Sequence, residues 1–411
     1  MLERADFPAA RRLMLAQAEP LEAEDVPLEA AHGRLLAAMM FADDDLVPYA
    51  RSAMDGYALH AADTGAARSP VVLPVRDASY AGDTPHCLAR GCAMAIATGS
   101  PLPYGADAVV PVEDVRRLEN AIEIHVPLQP GDHVFGSGDD AKRGDVLARY
   151  GDPVTPGRAG LLAAAGFASV RVYRRPRVAI VCTGDEVIGV HERPRAGQIR
   201  NSNATMLAGH LARDGADVVS CVSVADAPEP LAAALRSAFA ASDLVITTGG
   251  ASVGERDFVK RTCTGLGTRF AFRSVALRPA KPTAFGRCGS TLVAVLPGNP
   301  AAAFVAYAML VRGVVRRLAG WNDAYPAPVG VQLDGVVHAK PERHFVMFAR
   351  LRGVRGELHA LPLDNQCSSL VRTSADANAL IIVPPGDRTL RPGDVVEVEV
   401  LDWSAVDMTA S

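Results

Sequence analysis

Aromatic side chains are scarce in this chain of 411 residues: 5% are Phe, Trp or Tyr, too few for the stacking platforms that grip single-stranded nucleic acid. There is no surplus of positive charge either. The formal net charge is −4, so the basic footprint of a nucleic-acid binder is missing. The longest apolar stretch, around Ala301 to Val311, falls short of the roughly 20 residues that span a bilayer. The opening text, MLERADFPAARRLML, has no apolar signal core. Seven cysteines are scattered without a CxxC pair or a Cys/His metal spacing, a pattern that suits small buried thiols in a reducing compartment. The expectation is a cytoplasmic protein whose partners include neither nucleic acid nor membrane.

What the chain has is an ordinary globular composition, 49% hydrophobic and 21% charged, at a length that calls for about two to four domains. Its texture changes along the way. Up to about Asp43 the text is helical, as in PAARRLMLAQ and LEAAHGRLLAAMM. From Asp44 to Arg143 short β-type runs are broken by Gly and Pro, which suits a small β domain or barrel. From about Arg177, strand and helix patterns alternate: RVAIVCTGDEV, NSNATMLAGHLARDG, DVVSCVSV, PLAAALRSAFAAS, DLVITTGG and TLVAVLPGNP, then a helix to about Ala319. That alternation predicts a parallel sheet covered on both faces. In the last helix Leu310, Val314 and Leu318 form an apolar line, and Arg312 and Arg316 lie on another. From Gly320 the β texture returns.

Ligands of open parallel sheets bind beyond the carboxyl ends of the strands. Three such ends carry polar, glycine-rich text: CTGDE (Cys182 to Glu186), TTGGASVGERD (Thr247 to Asp257) and LPGNP (Leu296 to Pro300). In LPGNP, Asn299 is placed to cap the next helix and Pro300 to be its first residue, which turns free N–H groups toward an oxyanion. GGASVG offers main-chain donors without bulky side chains, an anion nest. It is no Walker loop, because no GK[ST] follows, and no GxGxxG is present. Glu255 and Asp257 in the same loop repel an anion unless a cation intervenes, so the loop is open to an anion, a metal or both. In the second region, Ser52, Asp55 and Tyr57 surround a Gly turn, Thr98, Gly99 and Ser100 end a strand, and Asp139 and Asp140 sit in a second acidic loop.

These segments, with SAMDGYA, ATGSPLPYGADAVVPVED, GQIRNSNATML, LRPAKPTAFG and SADANALIIVPP, stand in family order and cover nearly the whole chain. The chain resembles the molybdopterin molybdenumtransferases, the MoeA proteins and gephyrin E domains. The resemblance implies a multidomain α/β protein. Its parts would be a discontinuous N-terminal domain (1–43 plus 144–176), an inserted β-rich domain (44–143), a MogA-like doubly wound α/β domain that binds molybdopterin (177–325) and a C-terminal β domain (326–411). It implies an elongated homodimer whose cleft lies between the third domain of one subunit and the second and fourth of the other. The implied reaction takes adenylylated molybdopterin and molybdate, uses Mg²⁺, and releases AMP. A molybdopterin-adenylating protein would supply the substrate, and molybdoenzymes or their chaperones would receive the product.

Residue by residue, the resemblance assigns catalytic roles to Asp55, Thr98, Glu186, Asp257 and Lys281. Asp140, Glu186 and Asp257 would hold the metal through oxygen ligands. Ser52, Gly249, Gly250, Ser252, Gly254, Arg278, Pro297, Asn299, Pro300 and Ser368 would contact substrate, Arg278 and Lys281 balancing oxyanion charge. The chain departs from the family text at Phe135, Phe348, Cys367 in Gln366-Cys367-Ser368 and Ala227 after Asp226, and the first two cost a cation. Phe135 in HVFGSGDD and Phe348 in FVMFARL stand where the family has arginine, with Arg343, Arg350 and Arg372 nearby as substitutes. Loss of two cations motivates an alternative: a diverged molybdopterin-binding carrier with weak or no insertion activity.

Overall fold

The computed structural model describes residues 1–65, 70–250, 258–339 and 342–408. The chain divides into two compact units, one of residues 1–25, 33–37 and 171–411, the other of residues 26–32 and 38–170.

The larger unit is organised by a six-stranded sheet. In chain order its elements are β1 (Arg177–Thr183), α1 (Ser202–Arg213), β2 (Asp217–Val224), α2 (Pro228–Ala241), β3 (Leu244–Thr248), α3 (Phe258–Gly265), β4 (Arg269–Phe272), β5 (Ala284–Cys288), β6 (Thr291–Leu296) and α4 (Pro300–Ala306). The strand order is β2-β1-β3-β6-β5-β4. The first four are mutually parallel, and β5 and β4 turn back as antiparallel partners. Period-two alternation in β1 sends Val178, Ile180 and Cys182 into a core with Leu207 and Leu211 of α1 and Val305 of α4. Ala179 and Val181 face the opposite core, with Leu231 and Leu235 of α2 and Val259 and Cys263 of α3. Both sheet faces are therefore covered, which explains why these strands read as nearly continuous apolar runs. The doubly wound α/β domain expected from the alternation is present.

After α4 the helix continues through a π turn, Tyr307–Val311, into α5 (Arg312–Leu318). Strands His344–Val354, Glu357–Pro362, Val329–Leu333, Val395–Val400 and Ala379–Val383 then close on themselves as a five-stranded barrel. Its interior holds Val331, Leu351, Ile381 and Val398. A short strand of the α/β domain, Leu277–Arg278, pairs in parallel with His344 and Phe345 of that barrel.

The smaller unit carries a second six-stranded sheet, in the order Ala108–Pro111, Gly56–Leu59, Ala93–Ile96, Val71–Ser79, Ala121–Ile124 and Val115–Arg117. Tyr57, Leu59, Val110 and Ile122 fill its core. Gly56 is required by close approach: a Cβ there would lie 2.0 Å from the Val110 carbonyl oxygen across the strand pair. The glycine of SAMDGYA thus lets the strand that follows Asp55 pack directly on the Val110 main chain.

Candidate active site

The parallel register sets β1, β3 and β6 level at their carboxyl ends, with Cys182 beside Thr248 and Thr248 beside Leu296. The loops CTGDE, TTGG and LPGNP therefore open onto one edge, where they line a cleft of about 660 Å³ with the start of α1. Glu186, Asp226, Gly249, Gly250, Pro297 and Asn299 are among its walls. Glu186 is exposed to the cleft.

One side chain ties this edge together. Asn203, at the start of α1, donates from Nδ2 to Thr248 Oγ1 and to the Gly298 carbonyl, both at 2.8 Å. Thr248 Oγ1 in turn donates to the Pro297 carbonyl at 2.9 Å. The preceding Asn201 caps the helix by accepting from Ala204 N, and its amide donates to Ser223 Oγ on β2. Glycine is needed where the loops cross. A Cβ on Gly249 (φ +99°) would sit 2.1 Å from the Thr183 carbonyl oxygen, and one on Gly298 would sit 3.3 Å from Gly249 Cα. Asn203 Oδ1 and Thr183 Oγ1 are buried at the cleft without a hydrogen-bond partner among the described residues, so the floor keeps polar atoms for a ligand. Cys182 beside them is no nucleophile at neutral pH, since burial pushes its thiol up to about 11.

A second cleft of about 370 Å³ adjoins the first, sharing Pro282, Pro297 and Asn299 with it. Arg278 and Lys281 come from the α/β domain; Arg343, Phe345 and Ser368 come from the barrel. Arg278 lies over the Phe345 ring at 5.4 Å. Three cations and a hydroxyl on one small concavity suit a compact oxyanion. Asn299 differs from the sequence expectation. It holds the cap position but makes no side-chain cap bond; its amide reaches Ser368 Oγ at 3.3 Å, and Ala301 N donates to the Ser368 carbonyl. The start of this helix is spent on joining the barrel, and the positive charge of the cleft comes from side chains.

In the smaller unit, Asp55 Oδ1 accepts from both Thr98 N (2.7 Å) and Thr98 Oγ1 (2.8 Å). These bonds hold its carboxyl below the usual carboxylate range, so it stays an anion. Ser52 is not free for substrate: it is buried, and its hydroxyl donates to the Met54 carbonyl at 2.6 Å. Asp139 closes its own loop by accepting from Gly136 N, leaving exposed Asp140 beside it. Ser252, Gly254, Glu255 and Asp257 lie outside the described residues. Among the described residues no group of three His, Cys, Asp or Glu side chains could hold a metal ion. Of the expected metal ligands, Glu186 belongs to the larger unit and Asp140 to the smaller.

The two departures that cost a cation have different physical outcomes. Phe348 is 2% exposed and packs edge-on against Phe304 at 5.4 Å. Gln366 grips its backbone N–H and carbonyl at 2.9 Å each. It lies in the core, and Arg343 is the barrel arginine that lines the cleft. Of the other two nearby arginines, Arg350 donates to the Asp376 carbonyl and Arg372 pairs with the Asp376 carboxylate. Phe135 is half exposed, and the Arg51 guanidinium lies over its ring at 5.5 Å. The two are cross-strand partners, so a cation does stand beside this position, supplied from the neighbouring strand. Asn203 escaped the sequence reading altogether. Its only trace was a second Asn after the helix cap, in text read simply as helix.

This is a multidomain α/β protein in which a cleft lined by Arg278, Lys281 and Arg343 adjoins the glycine-rich strand ends of a doubly wound sheet. Residues 5–166 match the family described as the MoeA N-terminal region (domains I and II), residues 179–317 a probable molybdopterin binding domain, and residues 331–401 the MoeA C-terminal region (domain IV). The molybdopterin molybdenumtransferase of Bacillus subtilis is 36% identical over 391 residues, 92% of this chain and 89% of that protein. That of Synechococcus elongatus is 34% identical over 96% of this chain and 99% of its own. The crystal structure of a Pyrococcus horikoshii molybdopterin biosynthesis MoeA protein superimposes with a TM-score of 0.81 at 29% identity, covering 97% of this chain and 99% of that one. The chain belongs to the MoeA family of molybdopterin molybdenumtransferases, enzymes of molybdenum cofactor biosynthesis.

Proposed function

We propose that this protein inserts molybdate into adenylylated molybdopterin with release of AMP, in a reaction that depends on Mg²⁺. The observation that carries the reading is the pair of confluent clefts. The larger has bare main chain, the Asn203 and Thr183 oxygens and carboxylates, and suits a polar pterin with its phosphate. The smaller, with Arg278, Lys281 and Arg343, suits a compact dianion. Placed side by side, they bring the two reactants into one space, which converts a bimolecular encounter into an oriented one.

In this reading Lys281, Arg278 and Arg343 hold molybdate and offset its charge, while Ser368 donates to one of its oxygens. Glu186, Asp257 and Asp140 would hold the cation, as the family resemblance implies, through oxygen ligands that fit a hard divalent ion. When bound, Mg²⁺ polarises the phosphoanhydride. Asp55, kept ionised by its bonds from Thr98, is the remaining carboxylate assigned to the reaction. Water cleaves the phosphoanhydride to give AMP and the pterin phosphate; the two dithiolene sulfurs replace oxygens of molybdate, which leave as water with the thiol protons, so molybdenum ends on the dithiolene with its oxidation state unchanged.

The reading includes the four-domain division given above, supported by the ranges of the three family matches. It also includes a homodimer in which the partner completes the cleft, a cytoplasmic setting, a molybdopterin-adenylating protein upstream and molybdoenzymes or their chaperones downstream. No helix among the described residues is long and apolar enough to cross a membrane. The carrier alternative loses its motive at Phe348, which lies in the core while three cations line the cleft. The test is AMP release, followed by chromatography, from adenylylated molybdopterin with Mg²⁺ and with or without molybdate. Molybdate-dependent release is expected. Tight pterin binding with no release at any molybdate concentration would leave the carrier reading in its place.

A further inference from the structure

The second cleft has walls from two bodies, the α/β domain and the barrel, so its width depends on how firmly they are joined. Twelve residues beyond Pro300, the helix that starts at the clefts carries a buried chain of charges. Arg312 donates from Nε to Asp214 Oδ1 at 3.1 Å and from a terminal nitrogen to Glu399 Oε1 at 3.2 Å. Asp214 sits at the end of α1, and Glu399 is on the barrel strand Val395–Val400. The side chains of Arg312, Asp214 and Glu399 are 12%, 2% and 3% exposed. Tyr307 adds a hydrogen bond to Asp214 Oδ2 at 2.8 Å, and Arg11 one to Glu399 Oε2 at 3.4 Å.

The π turn belongs to the same device. Its widened geometry frees carbonyls that an α-helix would use itself. Arg11 Nε takes the Met309 carbonyl at 2.8 Å, and the Tyr325 hydroxyl takes that of Leu310 at 2.6 Å. From Glu399 the path to the cleft is short. Glu399 pairs with Leu380, Leu380 with Phe348, and the strand of Phe348 begins at His344 and Phe345, beside Arg278.

Burying two acids and two arginines costs desolvation that well-packed apolar side chains avoid, so such a cluster is a poor source of stability. Burial alone lifts the Glu399 carboxyl above its ordinary range, against the pull of Arg11 and Arg312. What charges with fixed hydrogen-bond geometry supply is one register in place of several. We infer that Arg312, clamped between Asp214 and Glu399, is a positioning residue that sets the spacing of Arg278 and Lys281 against Arg343 and Ser368 in the oxyanion cleft. It touches no substrate and acts through the join between helix and barrel.

The inference rests on the transferase reading, and the experiment separates the two. Wild type, Arg312→Lys, Arg312→Met and Glu399→Gln are compared in the full-length protein. Molybdate-dependent AMP release is measured at varied molybdate and at varied pterin, beside thermal unfolding and calorimetric titration with sodium molybdate alone. Because small displacements at a site are amplified in rate and affinity, the molybdate KM is expected to rise about tenfold or more in Arg312→Met and Glu399→Gln. The pterin KM should change less, within about twofold, since the Asn203 bonds to Thr248 and Gly298 remain at the far end of α1 from Asp214. Arg312→Lys, which keeps the charge, should recover part of the loss. If Arg312→Met does not fold, Glu399→Gln decides. An unchanged molybdate KM and affinity in a folded variant overturns the inference, as does a uniform loss that tracks only the folded fraction. An inactive wild type would instead remove the transferase reading, and titration with molybdate alone would still test the clamp.

Discussion

Replacing Asn203 by alanine removes the tie between the first helix of the α/β domain and two of the three loops at its strand ends. Two hydrogen bonds of 2.8 Å are lost, each worth about 0.5–1.5 kcal/mol net. Thr248 keeps its bond to Pro297, but the Gly298 carbonyl loses its side-chain partner, which adds about 1–3 kcal/mol where water cannot replace it. The sum, about 2–6 kcal/mol, should lower the melting transition of the α/β domain by on the order of 10 °C. Asn203→Asp is the sharper test. It places a carboxylate oxygen, in a site 8% exposed, against the Gly298 carbonyl and a hydroxyl already committed as donor. The carboxyl pKa must rise above its unfolded value of about 3.9. Between those two values the native state binds more protons than the unfolded one, so stability falls as pH rises through that window. Calorimetry at about pH 5 and about pH 8 should therefore show Asn203→Asp losing more, relative to wild type, at the higher pH. If Asn203→Ala melts within a degree or two of wild type, or if the Asn203→Asp penalty does not depend on pH, the loops are held by something else and the account of this edge is wrong.

Gly249→Ala and Gly197→Ala both place a Cβ at positive φ, +99° and +86°, but only the former meets an obstacle, the Thr183 carbonyl at 2.1 Å against open space. Both should lose about 1–2 kcal/mol for the backbone, and Gly249→Ala a further 1–3 kcal/mol, roughly, for the clash, with weakened pterin binding. Equal losses in urea unfolding would refute the close-approach argument. His210 is packed between Phe304 and Tyr307 at 4.6 and 4.8 Å. Burial first, then the charges of Arg213 and Arg312, lowers its pKa to about 3. The unfolded chain therefore binds a proton that the native state refuses, so His210 withdraws stability as pH falls from about 6.5 toward about 3. Its ring resonances in NMR should stay in the neutral form at about pH 5, and a titration near 6.5 would contradict the packing described.

The strand and helix alternation after Arg177, the polar strand ends and the glycines of TTGG and LPGNP were all legible in the sequence. Each depends on short-range physics: side-chain period, turn chemistry and backbone freedom act within a few residues. Parallel pairing then obliges the three loops to share one edge, so much of the first cleft could be expected without coordinates. Other features were decided only by the tertiary structure. Phe348 reads as a lost cation until the barrel register turns its ring into the core against Phe304. Asn299 reads as a helix cap until Ser368 claims its amide. Arg312 reads as one of two arginines along a helix, yet it lies buried between acids 98 residues before it and 87 after it. No local pattern marks Asp214 or Glu399 as its partners, because an ion pair is set by distance in space and by shared exclusion of water. Local chemistry specified the parts and the edge on which they meet; the docking of barrel on helix decided which charges line the cleft and which lie between helix and barrel.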